Sequence, residues 1–338
     1  MKRPRNEATD YSREATVAKA QNKKSTSTKK RLLAGIGVGL VIIIAAAVVW
    51  VGLFIQRVDG NIAMDKFSLE SLIPVLAEPE TPEEPYYVLL IGSDSRDPGN
   101  AADGRSDTII LTRVDPVTKQ ATLISIPRDV EIELAGYGTQ KINAAFTYGG
   151  EAGAVEAVSS LCGVSIAHYV EIDFNGVVDL VNILDGIDVD VPVAIELDGT
   201  YLAPGEQHLD GYEALIMSRC RSFPTGDFIR VQNQRIVLQA VAKKVLSASV
   251  PSMPGLIEEL SQCVTTDVPA TDAIGMLLKL QGMDTSTMYM ATIPSYPNNH
   301  DGVSYVAADR DALNEMMSRV DQGLSPENLA DTAAQDQS

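Results

Sequence analysis

The run LLAGIGVGLVIIIAAAVVWVGLFI, Leu32 to Ile55, holds neither a charge nor a proline. No other stretch limits so strongly what this chain can fold into. A helix of that length rises about 36 Å, enough to cross a hydrocarbon core of about 30 Å. Soluble helices keep a polar face, and a secretory h-region spans only about 7–15 residues before a small-residue cleavage site. The following QRVDGN is a poor cleavage site. The run therefore reads as an uncleaved signal-anchor, a single transmembrane helix with Trp50 near its far interface. Residues 1–31 carry a net charge of +7 in a chain whose overall net charge is -18, and Lys29, Lys30 and Arg31 directly precede the anchor. The positive-inside bias puts this basic segment, 1–31, in the cytoplasm and the acidic remainder outside the cell membrane. That topology disfavours cytosolic nucleotide chemistry, and no nucleic acid is expected as a partner.

Residues 56–85 read as an extracytoplasmic stalk. DKFSLESLIPVL has room for a short helix, and AEPETPEEP is an acidic, proline-rich spacer. From residue 86 hydrophobic patterning takes over. YYVLLI stops at Gly92 as a short buried strand; DTIILTRV and ATLISI follow as two more, joined by the turn DPVTKQ. EAGAVEAVSSLCG predicts a helix stopped by Gly163, HYVEID a strand, FNGVVDLVNILDG a helix, IDVDVP a strand and DGYEALIM a helix. DFIRVQNQRIVLQAVAKKVLSAS starts with Asp227 at the N-cap position and keeps helical spacing. Alternating strands and helices predict a layered α-β-α domain over 86–320, and the hairpin-like early connection makes its central sheet mixed. The polar end, 321–338, predicts a disordered tail. The cysteines are Cys162, Cys220 and Cys263, with no CxxC spacing to hold zinc. Outside the membrane a Cys162–Cys263 disulfide is permitted.

Common catalytic signatures are missing. There is no G-x-x-x-x-G-K-[ST] and no H-E-x-x-H, and His168, His208 and His300 sit in no nucleophile-elbow context. Chemistry without histidine often falls to metal and arginine electrostatics, the usual means of phosphoryl transfer. IGSDSR places Asp94 just past one strand end, and GRSDT places Asp107 at the start of the next. Two such carboxylates suit a hard cation such as Mg²⁺, although ordinary turn chemistry accounts for both on spacing alone. SIPRD places Arg128 at the end of the third strand, and KINAAF places Lys141 before a helix. SRCRSFPTGDFIRVQNQR, Ser218 to Arg235, then gathers four arginines. If Arg219 and Arg221 lie on an extended segment, the period of 2 puts both on one face and turns Cys220 towards the core. Arg230 and Gln234 share a face near a helix N-terminus, whose dipole favours an anion. Guanidinium groups bind phosphate bidentately, so the cluster points to a phosphate site rather than a solvated basic face.

Taken in order, IGSDSR, GRSDTIIL, SIPRD, KINAAF, HYVEIDF, LDGIDVDVP, HLDGYEALIMSRCRS and GDFIRVQNQ resemble the motifs of the LytR-CpsA-Psr family of bacterial cell-envelope proteins. The resemblance covers about residues 86–247 well and continues weakly through Thr265–Asp267 towards residue 320. It implies a Mg²⁺-dependent phosphotransferase of cell wall biogenesis. Such enzymes take a glycopolymer phosphate, such as teichoic acid or capsule, from a polyprenyl-pyrophosphate carrier. They join it to peptidoglycan or another cell-wall polymer through a phosphodiester. By motif position, Asp94 and Asp107 match the metal-associated aspartates. Arg128, Lys141, Arg219, Arg221, Arg230 and Gln234 match the pyrophosphate-binding set. The expected catalytic residues are Asp94, Asp107, Arg128, Arg219, Arg221 and Arg230. The family's domain also holds the polyprenyl tail in an apolar pocket. One position departs from the family's R-x-x-R-Q pattern: this chain reads R-V-Q-N-Q, with Asn233 where an arginine is expected. The same constellation leaves open hydrolysis of the pyrophosphate by water, or binding of the lipid-linked glycan without turnover. It also leaves the general base unassigned.

Overall fold

A computed structural model of the chain describes residues 49, 52–61, 64, 66–93, 106–220, 227–249 and 253–327. The anchor expected over Leu32–Ile55 lies largely outside these residues, and among the described residues no helix is long and apolar enough to cross a membrane. Residues 328–338 of the expected tail also lie outside them.

The elements run α1 (Lys66–Leu72), β1 (Tyr86–Ser93), β2 (Ser106–Asp115), β3 (Gln120–Ser125), β4 (Glu131–Leu134), β5 (Gly138–Lys141), α2 (Asn143–Cys162), β6 (His168–Asp173) and α3 (Phe174–Ile183). Then follow β7 (Ile187–Val191), β8 (Ile195–Leu197), β9 (Thr200–Leu202), β10 (Gly205–Leu209), α4 (Gly211–Arg219), α5 (Asp227–Ser247), α6 (Met253–Leu260) and β11 (Thr265–Thr266). The last are α7 (Ala270–Leu280), β12 (Tyr289–Thr292), β13 (Ser295–His300), β14 (Val303–Ala308) and α8 (Arg310–Asp321).

β1 is apolar on both faces, and each face is covered. Tyr87, Leu89 and Ile91 join a large core with Leu72 of α1, Phe146 and Val158 of α2, and Leu313 and Val320 of α8. On the other face Val88 packs with Met276 and Leu280 of α7 around Tyr86, Val114 and Ala167, and Leu90 with Leu238 of α5 around Ile110 and Leu123. A second core joins α3, α4 and α5 to the small strands β7 to β10. The central sheet has the order β11-β6-β1-β2-β3-β12. β1–β2, β2–β3 and β6–β11 are antiparallel, while β1–β6 and β3–β12 are parallel. The layered α-β-α domain with a mixed sheet is therefore present. One consequence governs the site: β1, β3, β6 and β12 end, and β2 begins, at the same edge of the sheet.

Local signals set several boundaries. Gly163 ends α2 in the left-handed conformation (φ 70), which costs glycine nothing. A capping box of Asp210 and Glu213 starts α4. The stretch read as a stalk, 56–85, is docked over much of its length rather than extended. Val58 is buried, Arg57 pairs with Glu258 at 2.6 Å, and Asp59 accepts from the Ala270 N–H at 2.7 Å, capping α7. Leu72 of α1 is fully buried, and the Ala77 N–H donates to Ile166 O at 2.9 Å. The short helix that DKFSLESLIPVL allows is α1, and the remaining anchors are single residues rather than a run. At the other end, Arg319 Nε donates to Ser325 O at 2.9 Å, so part of the expected tail folds back on α8.

The permitted disulfide is absent. All three cysteines are buried free thiols. Cys162 packs in the core beneath α2, whereas the Cys263 carbonyl lies against Gly176 of α3, on the other side of the sheet. Burial pushes the Cys162 thiol up to about 12 and that of Cys263 to about 11, so neither is a ready nucleophile.

β6 turns one carboxyl inward. Glu171 is buried and accepts from Tyr169 Oη at 3.0 Å. Burial pushes its carboxyl above the usual range; the Ser93 and Tyr169 hydroxyls pull it back, and the nearby acids Glu151 and Asp173 push it further up. Folding thus favours the protonated form. The stability this gives is full below the unfolded carboxyl value and is lost as pH rises through the folded one. Glu171→Gln is expected to raise the melting temperature by more at pH 8 than at pH 5. Calorimetry at the two values checks this.

Candidate substrate site

Register brings the chain's polar signals to the common sheet edge. Ser93 of β1 lies opposite Ser106 of β2 on one side and Asp173 of β6 on the other. Asp173 is spent on local structure: as N-cap of α3 it accepts from the Gly176 N–H at 2.6 Å. Past β3 the Ile126 N–H donates to Ile109 O at 2.9 Å, which leads the chain along the same edge into Arg128.

Behind this edge, between the sheet and α3, α4 and α5, lies a cavity of about 710 Å³. Leu90 and Val170 of the sheet, Val177 and Leu180 of α3, Leu215 of α4 and Val241 of α5 help to wall it. Its polar wall includes Arg219, Arg230, Gln234, Ser218 and Asp198. A cavity this apolar suits a hydrocarbon ligand, and a few placed polar groups fix its orientation.

The arginines are positioned by a seam between two helices. Asn233 Nδ2 donates to Met217 O at 3.2 Å, and Gln234 Nε2 donates to Ser218 O at 3.3 Å. Both acceptors belong to the last turn of α4, where an α-helix leaves its carbonyls unsatisfied. The seam holds the end of α4, with Arg219, beside the start of α5, with Arg230. The Arg219 guanidinium lies over the Phe174 ring, 5.1 Å from its centroid, and approaches Asp198 Oδ2 at 3.9 Å. Its side chain is 42% exposed, whereas Arg230 is 3% exposed. One cation therefore meets solvent, and the other sits where a low dielectric strengthens its pull on an entering anion.

The structure joins three of the expected phosphate ligands, Arg219, Arg230 and Gln234, at one cavity. Arg230 and Gln234 share the helix face that their spacing predicts. The extended geometry considered for Arg219 does not hold: it is the last residue of α4, because the helix runs two residues beyond its apolar pattern, which ends at Met217. Cys220 is extended and fully buried, the inward turn expected of it. Arg128 and Lys141 form a separate group around Asp129, with Lys141 Nζ 2.7 Å and Arg128 Nε 3.7 Å from its two carboxylate oxygens. Neither is among the residues lining the cavity. Asp94 and Arg221 lie outside the described residues, and of Asp107 only the backbone is described, as the second residue of β2.

Three residues of the site escaped the sequence. Asp129 follows Arg128 directly, and adjacency in a chain does not reveal a shared partner twelve residues on. Phe174 read as the start of a helix. Asp198 lies in a stretch between the IDVDVP strand and the DGYEALIM helix to which the sequence alone assigns no role. Asn233 takes on a new meaning: it is fully buried and absent from the cavity wall, so here the position ties two helices together. For the expected cation, one observation fits. Ser106 Oγ, beside Asp107, is buried and has no hydrogen-bond partner among the described residues. No cluster of three metal-ligating side chains occurs among the described residues.

The fold and site define a class: a layered α/β domain with a mixed sheet and an apolar cavity that carries guanidinium groups in its wall. The family model of the LytR_cpsA_psr family matches residues 59–322, and the chain belongs to that family. It is 34% identical over 256 residues to the polyisoprenyl-teichoic acid–peptidoglycan teichoic acid transferase TagU of Enterococcus faecalis, covering 72% of this chain and 81% of the relative. The enzyme of the same activity named TagV, from Bacillus subtilis, is 33% identical and is matched over 64% of this chain and 60% of its own length. The crystal structure of B. subtilis TagV superposes with a TM-score of 0.64 at 32% identity, covering 72% of this chain and 98% of that one. TagT bound to LI-WTA gives 0.60 at 27% identity, covering 73% and 94%.

The seam is open to direct test. Asn233→Ala leaves a buried Met217 carbonyl without its donor and is expected to cost roughly 1–3 kcal/mol. The shift of the urea midpoint at constant slope measures it.

Proposed function

We propose that this transferase moves a glycopolymer phosphate from a polyprenyl-pyrophosphate carrier to a hydroxyl of peptidoglycan or a related wall polymer, at the outer face of the cell membrane. The observation that carries the reading is the apolar cavity with Arg219 and Arg230 in its wall. Its hydrocarbon walls would take the prenyl tail, each buried methylene adding about 0.8 kcal/mol. The tail would thereby set the pyrophosphate against the guanidinium groups. Both relatives named above carry the matching activity in their names. The apolar run Leu32–Ile55 with its basic head supports an anchored domain facing outward, where the carrier and the wall acceptor meet.

In the proposed reaction the acceptor hydroxyl attacks the polymer-side phosphorus. A new P–O bond forms as the bond to the bridging oxygen breaks. Polyprenyl phosphate leaves, and the hydroxyl proton passes to a base or to water. Arg219 and Arg230 donate to the phosphate oxygens, and donors already in place stabilise charge that grows in the transition state. Arg128 and Lys141, oriented by Asp129, serve the same anion from the sheet edge. Asp94 and Asp107 would hold Mg²⁺, which supplies Lewis-acid neutralisation of phosphoryl oxygens.

A labelled lipid-pyrophosphate glycan, incubated with the full chain, Mg²⁺ and peptidoglycan oligomers, tests the reading. Label on peptidoglycan supports it. Free sugar phosphate formed without acceptor marks a hydrolase, and retention without turnover marks a binder. Arg219→Ala is expected to lower transfer roughly 100-fold without unfolding the domain. Val241→Trp, which fills the cavity, is expected to raise KM for long-chain carriers and leave a short-chain analogue unaffected. Equal effects on both chain lengths would place the tail elsewhere.

A further inference from the structure

Among the described residues that line the cavity, Asp198 is the one acid. A carboxylate is out of place in a site meant for phosphate, and three observations show that it is held there. β8 and β9 pair as Ile195↔Leu202 and Leu197↔Thr200, leaving Asp198 and Gly199 as a two-residue turn. Both turn residues have positive φ, 51 at Asp198 and 81 at Gly199, the geometry of the tight hairpin that Asn-Gly and Asp-Gly favour. Ile195 and Leu202 are buried in the second core, so the hairpin is fixed at its base. Its tip therefore presents the carboxylate to the cavity as a permanent feature. Among the described residues its ionic partner is Arg219, at 3.9 Å, and both side chains are about half exposed.

We infer that Asp198 is an internal counter-ion for Arg219, which the headgroup phosphate displaces on binding and which reclaims the guanidinium when the lipid phosphate leaves. The inference rests on the phosphate reading of this site. Two opposed effects decide its sign. Asp198 holds Arg219 in place, which helps an incoming anion, but Phe174 beneath the guanidinium holds it as well. Asp198 also competes for Arg219 and repels the phosphate. An exposed pair at this distance is weak, so its loss removes little order, while a like charge beside a phosphate remains unfavourable. Competition and repulsion therefore win, and the carboxylate weakens headgroup binding. For a domain that grips a long hydrocarbon tail, a moderated grip on the head speeds release of the spent carrier.

Asp198→Asn removes the charge and keeps a residue that this turn favours. Titration of the full chain in detergent with farnesyl monophosphate and farnesyl diphosphate, followed by calorimetry, reads the effect. Asp198→Asn is expected to bind both about 3- to 10-fold more tightly than wild type, and the gain is expected to shrink in an Arg219→Ala background, where only the repulsion remains to be relieved. Binding equal to or weaker than wild type overturns the role of Asp198 while leaving the phosphate site intact. A gain of undiminished size without Arg219 overturns it too. If the wild type binds neither phosphate, the phosphate reading falls and the inference falls with it.

Discussion

The parallel pairing of β1 with β6 is the contact on which the rest of the site depends. It sets Ser93 beside Asp173, so the strand that leads to Asp94 ends where α3 begins. With β2 and β3 antiparallel in turn, the polar loops gather at one edge of the sheet. Ligands of layered α/β domains bind beyond the carboxyl ends of their strands for this reason. The pairing also lays Val170 and Ile172 next to Leu90 and Gly92, and together they form the sheet wall of the cavity. No side chain at Gly92 intrudes there: a Cβ at that position would come within 2.9 Å of Thr108.

The two faces of the sheet are used differently. One is filled by α1, α2 and α8 as ordinary core. The other leaves a space of about 710 Å³ among side chains just as apolar. Unfilled space forgoes the dispersion contacts that close packing gives, so this face gives up stability that the first retains. The seam of Asn233 and Gln234 onto the end of α4, and the buried hairpin base beneath Asp198, hold the walls apart with polar and apolar contacts placed outside the space itself. Arg230 adds a nearly buried charge to the same wall. Stability is conceded where the proposed amphiphile would bind.

Much of the fold was legible because its signals are local. The apolar runs that stop at Gly92 and before Pro127 are strands, and Gly163 ends its helix as a left-handed cap should. Arg230 and Gln234 were legible as partners because helical spacing alone puts them on one face. Nothing local marks where α4 gives way to Cys220, so the sequence leaves open whether Arg219 is extended or helical. The roles of Asp129, Phe174 and Asp198 depend on contacts between segments distant in sequence, which no window of residues reveals. The docking of the stretch after the anchor was hidden for a related reason: apart from the short helix that DKFSLESLIPVL allows, its fixing contacts are isolated residues such as Val58. Asn233, a missing arginine when read as a motif, is a helix-to-helix tie when read in place.

The central claim is that the cavity holds the lipid tail with its phosphate at Arg219 and Arg230. A polyprenyl diphosphate with a photoreactive diazirine at the far end of its chain tests it most directly. After irradiation of the full chain and peptide mapping, the claim predicts labels on cavity residues such as Val177, Leu180 and Val241. It also predicts that unlabelled polyprenyl diphosphate competes for those sites. Labels confined to other surfaces, or cavity labelling that the unlabelled lipid does not compete away, would contradict it.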